Sequence, residues 1–528
     1  MTNTIADIEK AEVILITGSN TTENHPVLSA FAKRAVTLKG VKLIVVDPRM
    51  IKIATFAQEW LRPNLGTDVA WINGMMHIII KENLHNSEYV ENRTEDFEKL
   101  KETVEKYTPE YVESITGIPA EQLERAARLY AGAKPGSILY CMGITQHTSG
   151  TDNVKSLANL AMLCGNVGIE GGGVNPLRGQ NNVQGACDMG GLPNVYSGYQ
   201  NVSDTALRQK MEEFWGVTDL PDKPGLKATE MVPKAQDGSL KALYIVGENP
   251  LISDPDLNHT EKSMEKLDFL IVQDIFLTET AQKADVVLPS YCYAEKEGTF
   301  TNTERRVQRV RKAVDAPGDA WDDWRIVCEV ATRMGYSMVY ENSESIMQEI
   351  AQVTPSYAGI TYERIKHEGL HWPCPNIEHP GTPILHVDRF TRGRGVFHAI
   401  DYTPPAEVVD DQYPLFLTTG RLMYHYHTGT MTMKSDELNE VAPESYVEIS
   451  PKDAKKYGLK DGEWAEVTSR RGNIRVRVRI SPMAVAGTVF IPFHYAHGAA
   501  NKLTNAALDP VSGIPELKVC AVQLSKAA

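Results

Sequence analysis

A short aliphatic run that ends abruptly in glycine or polar residues recurs along the chain. Ala11–Thr17 (AEVILIT) stops at Gly18-Ser19-Asn20, and its length and β-branched content predict a buried parallel strand. Pro26 suits a first helical turn, after which Val27, Ala30, Phe31 and Leu38 recur at helical spacing. Val41–Val46 predicts a second buried strand, closed by Asp47-Pro48-Arg49, and completes a strand–helix–strand unit. The theme returns in Ser137–Met142 before Gly143, with an apolar-striped helix over Val154–Leu163. It returns again in Ala242–Val246 before Gly247-Glu248-Asn249-Pro250, in Phe269–Val272 before Gln273-Asp274, and in Asp285–Leu288 before Pro289-Ser290. Such a pattern predicts an α/β protein with open parallel sheets, whose ligands bind outside the carboxyl ends of strands. Five strand ends of this kind imply one large ligand touched from many loops. Ordinary connecting loops have the same look, so the pattern alone leaves both readings open.

The chain changes character near residue 400. Tyr402–Gln412 is rich in proline and acids and reads as a linker. Beyond it short strands are predicted at Leu415–Thr419, Tyr446–Ile449, Glu463–Thr468, Asn473–Ile480 and Thr488–Phe493. In the fourth, Ile474, Val476, Val478 and Ile480 alternate with Arg475, Arg477 and Arg479, the period of a half-buried strand with a solvated arginine face. Residues 1–400 are therefore expected to form an α/β region of several subdomains, and residues 413–528 a β-barrel. A length of 528 residues has room for several domains, and 42% apolar with 23% charged residues is a folded composition. The net charge of −14 argues against a nucleic-acid binder. No apolar run is long enough to span a membrane and Met1–Lys10 has no signal-peptide pattern, so a cytoplasmic protein is expected. The seven cysteines include no CxxC pair and no zinc-like Cys/His spacing, so no metal ligand is expected within this chain.

Three stretches carry chemistry. Gly171–Gly185 (GGGVNPLRGQNNVQG) combines glycines, which admit close backbone approach, with side-chain amides that suit a polar heterocycle. Its Arg178 offers a planar fork for a carboxylate. Ala294–Gln308 (AEKEGTFTNTERRVQ) reads as a charged turn and an arginine-bearing strand, and its internal charge pairs are equally consistent with a structural role. Thr418–Thr432 (TTGRLMYHYHTGTMT) places His425 and His427 beside Arg421. Without a nearby third ligand these histidines read as contacts to an anion or heterocycle.

Together these stretches resemble the molybdopterin oxidoreductase family, in the same order over almost the whole chain. Within it the run VNPLRGQNNVQGACDMG is most similar to formate dehydrogenase catalytic subunits. The resemblance implies a multidomain fold of parallel-sheet α/β domains with a C-terminal double-psi-like barrel. It also implies a bis-molybdopterin guanine dinucleotide (bis-MGD) cofactor carrying molybdenum or tungsten. By the same resemblance Arg178 holds the formate carboxylate and Gln180 touches the pterin. Asn20, Asp47, Arg49, Gly66 and Asp68 serve one guanine dinucleotide, and Met142 and Gln146 lie near the pterin. Gly247, Asn249, Ser253, Gln273, Thr278 and Asp323 serve the second dinucleotide. Arg421, His425 and His427 contact pterin or phosphate, and Asn501 and Lys518 close over the cofactor, drawing the barrel onto the α/β strand ends. Family members begin with a [4Fe–4S] cysteine motif and a cysteine or selenocysteine that ligates the metal, followed by histidine. This sequence starts after the place where that segment ends. A gene start placed downstream of an in-frame UGA codon is the expected cause, and the chain as written is expected to be inactive without the segment. The implied partners are formate and carbon dioxide, and an iron–sulfur electron-transfer subunit of a hydrogenase or NAD(P)-linked complex, with no nucleic acid. The competing readings are another molybdopterin oxidoreductase, such as a nitrate reductase, and a non-catalytic subunit that keeps the fold.

Overall fold

The computed structural model describes residues 1–527. By contacts the chain separates into two compact units. Unit one comprises residues 1–179, 252–259 and 384 onward; unit two comprises 180–251 and 260–383. This grouping follows packing, whereas the expected division at 400 and 413 follows chain order: the C-terminal barrel belongs with the first sheet.

Unit one begins with β1 (Val13–Thr17), α1 (Pro26–Lys39), β2 (Lys42–Val46) and β3 (Glu59–Leu61). Then follow α2 (Asp68–Lys81), β4 (Gly136–Tyr140), α3 (Met142–Thr145), α4 (Gly150–Leu163) and β5 (Val174–Pro176). The strands form one parallel sheet in the order β3-β2-β1-β4-β5. Every residue of β1 and β4 is buried, as continuous apolar runs covered on both faces require. Register is the feature that matters for function. Thr17 pairs with Val46 and with Tyr140, Val46 with Leu61, and Tyr140 with Pro176. All five strands thus end level, and the loops after them emerge along one edge.

Helix α1 starts at Pro26 as expected, but the buried side is not the predicted stripe. Leu28, Ser29, Ala32 and Ala35 face the core, while Val27 and Leu38 are 70% and 76% exposed. Small residues let the helix lie close to the sheet, and small residues carry little hydrophobic periodicity. By contrast α2 is buried from Val69 to Ile79 on all sides and forms the centre of the main apolar cluster with Leu123, Ala126, Leu157 and Leu160.

Unit two contains α5 (Val183–Asp188) and a second parallel sheet of β6 (Ala242–Val246), β7 (Phe269–Asp274) and β8 (Val286–Pro289), in the order β8-β7-β6. A hairpin of β9 (Gly298–Thr301) and β10 (Arg306–Val310), helix α6 (Asp323–Arg333) and β11 (Leu370–His371) complete the elements used below. The strand ends foreseen as one ligand platform therefore belong to two sheets in two units. Asp188 is fully buried and accepts from Tyr357 OH at 2.6 Å, Tyr199 OH at 2.8 Å and Gln184 Nε2 at 2.7 Å. That fan of donors anchors the end of α5, the helix into which the Gly171–Gly185 stretch runs.

The closed barrel of unit one consists of β12 (Leu415–Gly420), β13 (Tyr446–Ile449), β14 (Trp464–Thr468), β15 (Asn473–Ile480), β16 (Thr488–Pro492) and β17 (Cys520–Lys526). Their order is β12-β16-β13-β15-β14-β17. Leu417, Val447, Val467, Val476, Val489 and Val522 fill an interior separate from the sheet's cores. Ile474, Val476 and Val478 point inward, while Arg475 and Arg477 lie over the Trp464 ring at 5.1 and 4.1 Å and Arg479 over Tyr446. The arginine stripe is the outer face, as its alternation predicted. Strand β17 had escaped the sequence reading. Among the described residues no helix is long and apolar enough to cross a membrane.

Candidate cofactor site

The site in unit one is assembled from the level strand ends. After β1 the chain turns through Gly18, whose φ of +56° is left-handed. A Cβ on Gly18 would lie 2.6 Å from the backbone nitrogen of Ile144, and one on Gly143 would lie 2.6 Å from Gly18 Cα. Glycine at both positions lets the loops after β1 and β4 touch, with Gly143 N–H donating to Gly18 O at 3.0 Å. This contact lies where the chain's path through the sheet reverses direction, the usual crevice for a ligand in an open α/β sheet.

The polar groups lining this crevice are incompletely paired. Ser19 Oγ, Asn20 Oδ1, Thr21 Oγ1 and His147 Nδ1 are buried without a hydrogen-bond partner. Each such atom costs about 1–3 kcal/mol unless a ligand completes it, so their concentration at one crevice points to a polar ligand rather than to careless packing. His147 is 2% exposed, with Nε2 at 2.8 Å from Gly143 O and 3.9 Å from Asp68 Oδ2. Asp68 opens α2 and accepts from Trp71 Nε1 at 3.2 Å; burial raises its carboxyl's pKa, and the nearby His147 opposes that shift. Just before it, Gly66 holds φ at +74° against the Pro405 ring. Asp47, at the end of β2, accepts from Arg49 N–H at 2.9 Å, and burial pushes its carboxyl up to about 6. Met142 and Gln146 stand at the two ends of α3, on the same edge.

The barrel contributes cations. Arg421 follows β12 and donates through Nη1 to Gly179 O at 2.7 Å; burial lowers its pKa. A Cβ on Gly179 would come within 2.6 Å of Arg421 Nη2, so this glycine admits the guanidinium. Lys518 precedes β17 and is 8% exposed, with Nζ donating to Thr419 O at 2.7 Å. Burial pushes its ammonium down to about 8, with Arg421 and Arg49 repelling it and Cys141 and Asp47 pulling the other way. Arg49 is bound to Glu448 at 2.8 Å and lies 3.6 Å over the Phe490 ring, so the Asp-Pro-Arg turn is tied to the barrel. Thr148 and Thr151 at the start of α4 donate to Glu516 and Asp509, which ties the sheet edge to the loop before β17.

The remaining predicted residues have other surroundings. Both ring nitrogens of His425 are engaged within the connection between β12 and β13, with Thr432 Oγ1 at 3.2 Å and Ala442 O at 2.7 Å. His427 lies edge-on to Phe493, and burial pushes its imidazole down to about 4, with Arg421 adding to the effect. Asn501 Nδ2 donates to the carbonyls of Ile252 and Ser253 at 2.9 and 3.0 Å, while Asn501 Oδ1 is buried without a partner. His494, between them in sequence, accepts from Leu422 N–H through Nε2 at 2.7 Å and donates through Nδ1 to His427 O. Burial holds it down to about 3, so it is neutral and rigidly oriented.

In unit two Gly247 follows β6 at φ +64°, its N–H donating to Gln273 O at 2.9 Å. Gln273 Nε2 donates to Asp323 Oδ1 at 2.7 Å, Tyr244 OH donates to Gln273 Oε1, and Lys296 pairs with Asp323 Oδ2. Asn249 donates to Glu279 at 2.7 Å and accepts from Thr280 Oγ1, and Thr278 Oγ1 accepts from Ala281 N–H at 3.1 Å. Gln180 opens this unit, its carbonyl accepting from Val183 N–H. Among the described residues no group of three or more His, Cys, Asp or Glu side chains could hold a metal ion. Sequence reasoning missed Ser19, Thr21, His25 and His147. Only the first carried a signal, as a neighbour of Gly18 at a strand end.

A sheet edge lined with incompletely paired polar atoms, and closed by a barrel that supplies buried cations, is the architecture of a protein that encloses a large anionic cofactor. The chain belongs to the molybdopterin oxidoreductase family: residues 1–333 match that family, and residues 415–521 match the molydopterin dinucleotide binding domain. It is 53% identical over 530 residues to the F420-dependent formate dehydrogenase subunit alpha of Methanocaldococcus jannaschii, an alignment covering 100% of this chain and 78% of that protein. It is 41% identical to formate dehydrogenase H of Escherichia coli K12, over 100% of this chain and 74% of that one. In fold it is similar to acetylene hydratase from Pelobacter acetylenicus, with a TM-score of 0.78 and 21% identity over 99% of this chain and 81% of the other.

Proposed function

We propose that the chain is the major part of a formate dehydrogenase catalytic subunit that binds bis-MGD and interconverts formate and carbon dioxide. The observation that carries the reading is Arg178. It is the second residue after β5 and directly precedes Gly179-Gln180-Asn181-Asn182, next to the Gly179 carbonyl that Arg421 holds at 2.7 Å. The chain's own residues fit a polyanionic dinucleotide: Lys518 and Arg421 hydrogen-bond carbonyls and keep positive charge for phosphates. Asn20, Ser19 and Thr21 offer polar atoms at the crevice, and Asp47, Arg49, Gly66 and Asp68 supply a guanine-binding edge. Met142, Gln146 and Gln180 lie toward the pterin in this reading, as do His427 and His425, the latter through the loop it braces. Gly247, Asn249, Ser253, Gln273, Thr278 and Asp323 serve the second dinucleotide, and Asn501 holds the backbone of Ser253.

When bound, bis-MGD with molybdenum or tungsten would supply the two-electron acceptor, so that formate would give carbon dioxide as its C–H hydrogen left as a hydride or as a proton and two electrons. The protein's work is orientation. The Arg178 guanidinium receives both carboxylate oxygens, so the C–H bond points away from it in a fixed direction. Buried neutral histidines around Arg421 keep its charge from being shared with a counter-ion. A [4Fe–4S] cluster and the metal's protein ligand are assigned to other residues of the whole enzyme, and electrons leave to an iron–sulfur partner subunit, of a hydrogenase or an NAD(P)-linked complex, in the cytoplasm. That relatives at 53% and 41% identity are formate dehydrogenases favours formate over nitrate as substrate.

Arg178→Lys in the complete enzyme tests the reading. Lysine keeps the charge and loses the fork, so formate turnover should fall at least about 100-fold with guanine and metal content unchanged. Loss of bound cofactor in proportion to activity would make Arg178 an assembly residue instead.

A further inference from the structure

The backbone beneath Arg178 is held by a side chain from far away in sequence. His25 Nε2 lies 2.8 Å from Arg178 O, 153 residues distant. A carbonyl only accepts, so Nε2 carries the hydrogen and Nδ1 is the bare nitrogen. Nδ1 is buried without a partner, and burial, with Arg421 adding to it, lowers the imidazole's pKa. The backbone that carries the ring is itself fixed: His25 N–H donates to Thr21 O at 2.9 Å, and its carbonyl accepts from Ser29 N–H at 2.8 Å in the first turn of α1. The next carbonyl along, Gly179 O, is taken by Arg421 Nη1 at 2.7 Å. Two consecutive carbonyls are thus pinned by two separate elements, one from the sheet side and one from the barrel.

We propose that His25 is a positioning residue for Arg178: its Nε2–H fixes the Arg178 carbonyl, and so the height at which the guanidinium stands above the sheet edge. The inference rests on the proposed role of Arg178 in holding formate. Leu177 is held on its own side, its N–H donating to Tyr140 O at 2.8 Å and its carbonyl accepting from Cys141 at 3.1 Å, so the bond from His25 bears on the Arg178 peptide itself, whose tilt sets the pose in which the fork meets a carboxylate. Phenylalanine at position 25 keeps the ring's bulk and loses the donor; glutamine keeps a donor of similar reach.

The test uses the cofactor-loaded complete enzyme with His25→Phe, His25→Gln and Arg178→Lys, measuring formate KM and kcat, guanine and metal content, and the rise in melting temperature produced by formate. His25→Phe should raise the formate KM about tenfold, with a smaller loss in kcat, and shrink the formate-induced rise in melting temperature. His25→Gln should recover most of both, with cofactor content equal in all variants. The proposal is overturned if His25→Phe matches the unaltered enzyme, if His25→Gln is no better than His25→Phe, or if cofactor is lost in step with activity. Arg178→Lys separates the two ideas. If it leaves formate kinetics intact, the reading of Arg178 fails; if it is damaging while both His25 variants are silent, only the positioning role fails.

Discussion

In unit one the buried Lys518 and the half-buried Arg421 have backbone carbonyls as their hydrogen-bond partners, and Ser19, Asn20 and Thr21 keep polar atoms unpaired. In unit two the predicted residues satisfy one another: Asp323 gives one oxygen to Gln273 and the other to Lys296, and Asn249 is shared between Glu279 and Thr280. Buried charge without a counter-ion is expensive and persists where a ligand supplies the opposite charge. A closed network costs nothing to keep without ligand, and binds by opening or by offering its backbone. The crevice of the first unit keeps unpaired polar atoms, whereas the residues predicted for the second dinucleotide in unit two pair with one another.

That contrast can be broken experimentally. The largest effect is expected for Lys518→Met, which should lower bound guanine nucleotide in the purified complete enzyme about tenfold or more, the value of a lost charge-assisted hydrogen bond. Asp323→Asn should leave guanine content within about twofold, because the amide oxygen can still accept from Gln273. Equal losses in both variants would erase the distinction between the units.

A second effect depends on pH. The Lys518 ammonium is held down to about 8 in the folded chain, below its ordinary value of 10.5. A lysine whose folded value is depressed destabilises the chain fully below the folded value, and the penalty fades as pH rises toward the unfolded one. Without cofactor, Lys518→Met should therefore melt a few degrees higher than the unaltered chain at pH 7, and the gap should close between pH 8 and 10.5. A gap that is constant with pH would place its origin in packing rather than charge.

Smaller still, Asp323→Ala strands Gln273 Nε2 and Lys296, and should cost unit two about 1–2 kcal/mol in denaturant unfolding. Arg477→Ala, on the barrel's outer face beside Trp464 and Glu444, should shift stability by no more than about 0.5 kcal/mol. A larger shift would give the arginine stripe a role beyond a solvated surface.

Strands were legible where a short aliphatic or β-branched run breaks off at turn residues, or where apolar residues alternate with charged ones at period two. Ala242–Val246, Tyr446–Ile449 and Asn473–Ile480 were located to the residue, and β1 and β4 to within two. The core face of α1 was not, because Ser29, Ala32 and Ala35 bury by being small. Cys520–Lys526 was missed because Cys520, Ala521 and Val522 are buried in succession and the short and polar side chains among its residues give no clear hydrophobic period. For the proposed site, Arg178, Asp47, Arg421 and Lys518 are named by the family resemblance and not by any local pattern. His25 and His147 depend on contacts with Arg178 and Gly143 that exist only once the sheet register is fixed, and no local pattern marks them. His425 shows the reverse: a residue in a recognisable stretch whose ring is spent on bracing its own loop.

The most direct test of the central claim is the cofactor itself. The complete protein, purified from its native source, is hydrolysed and assayed for guanine nucleotide, molybdenum and tungsten, alongside formate-dependent dye reduction. The account predicts guanine and metal in the two-to-one ratio of bis-MGD, together with formate oxidation. A folded complete protein that carries neither guanine nor metal, or that carries both and leaves formate untouched under conditions where it reduces another substrate, would contradict it.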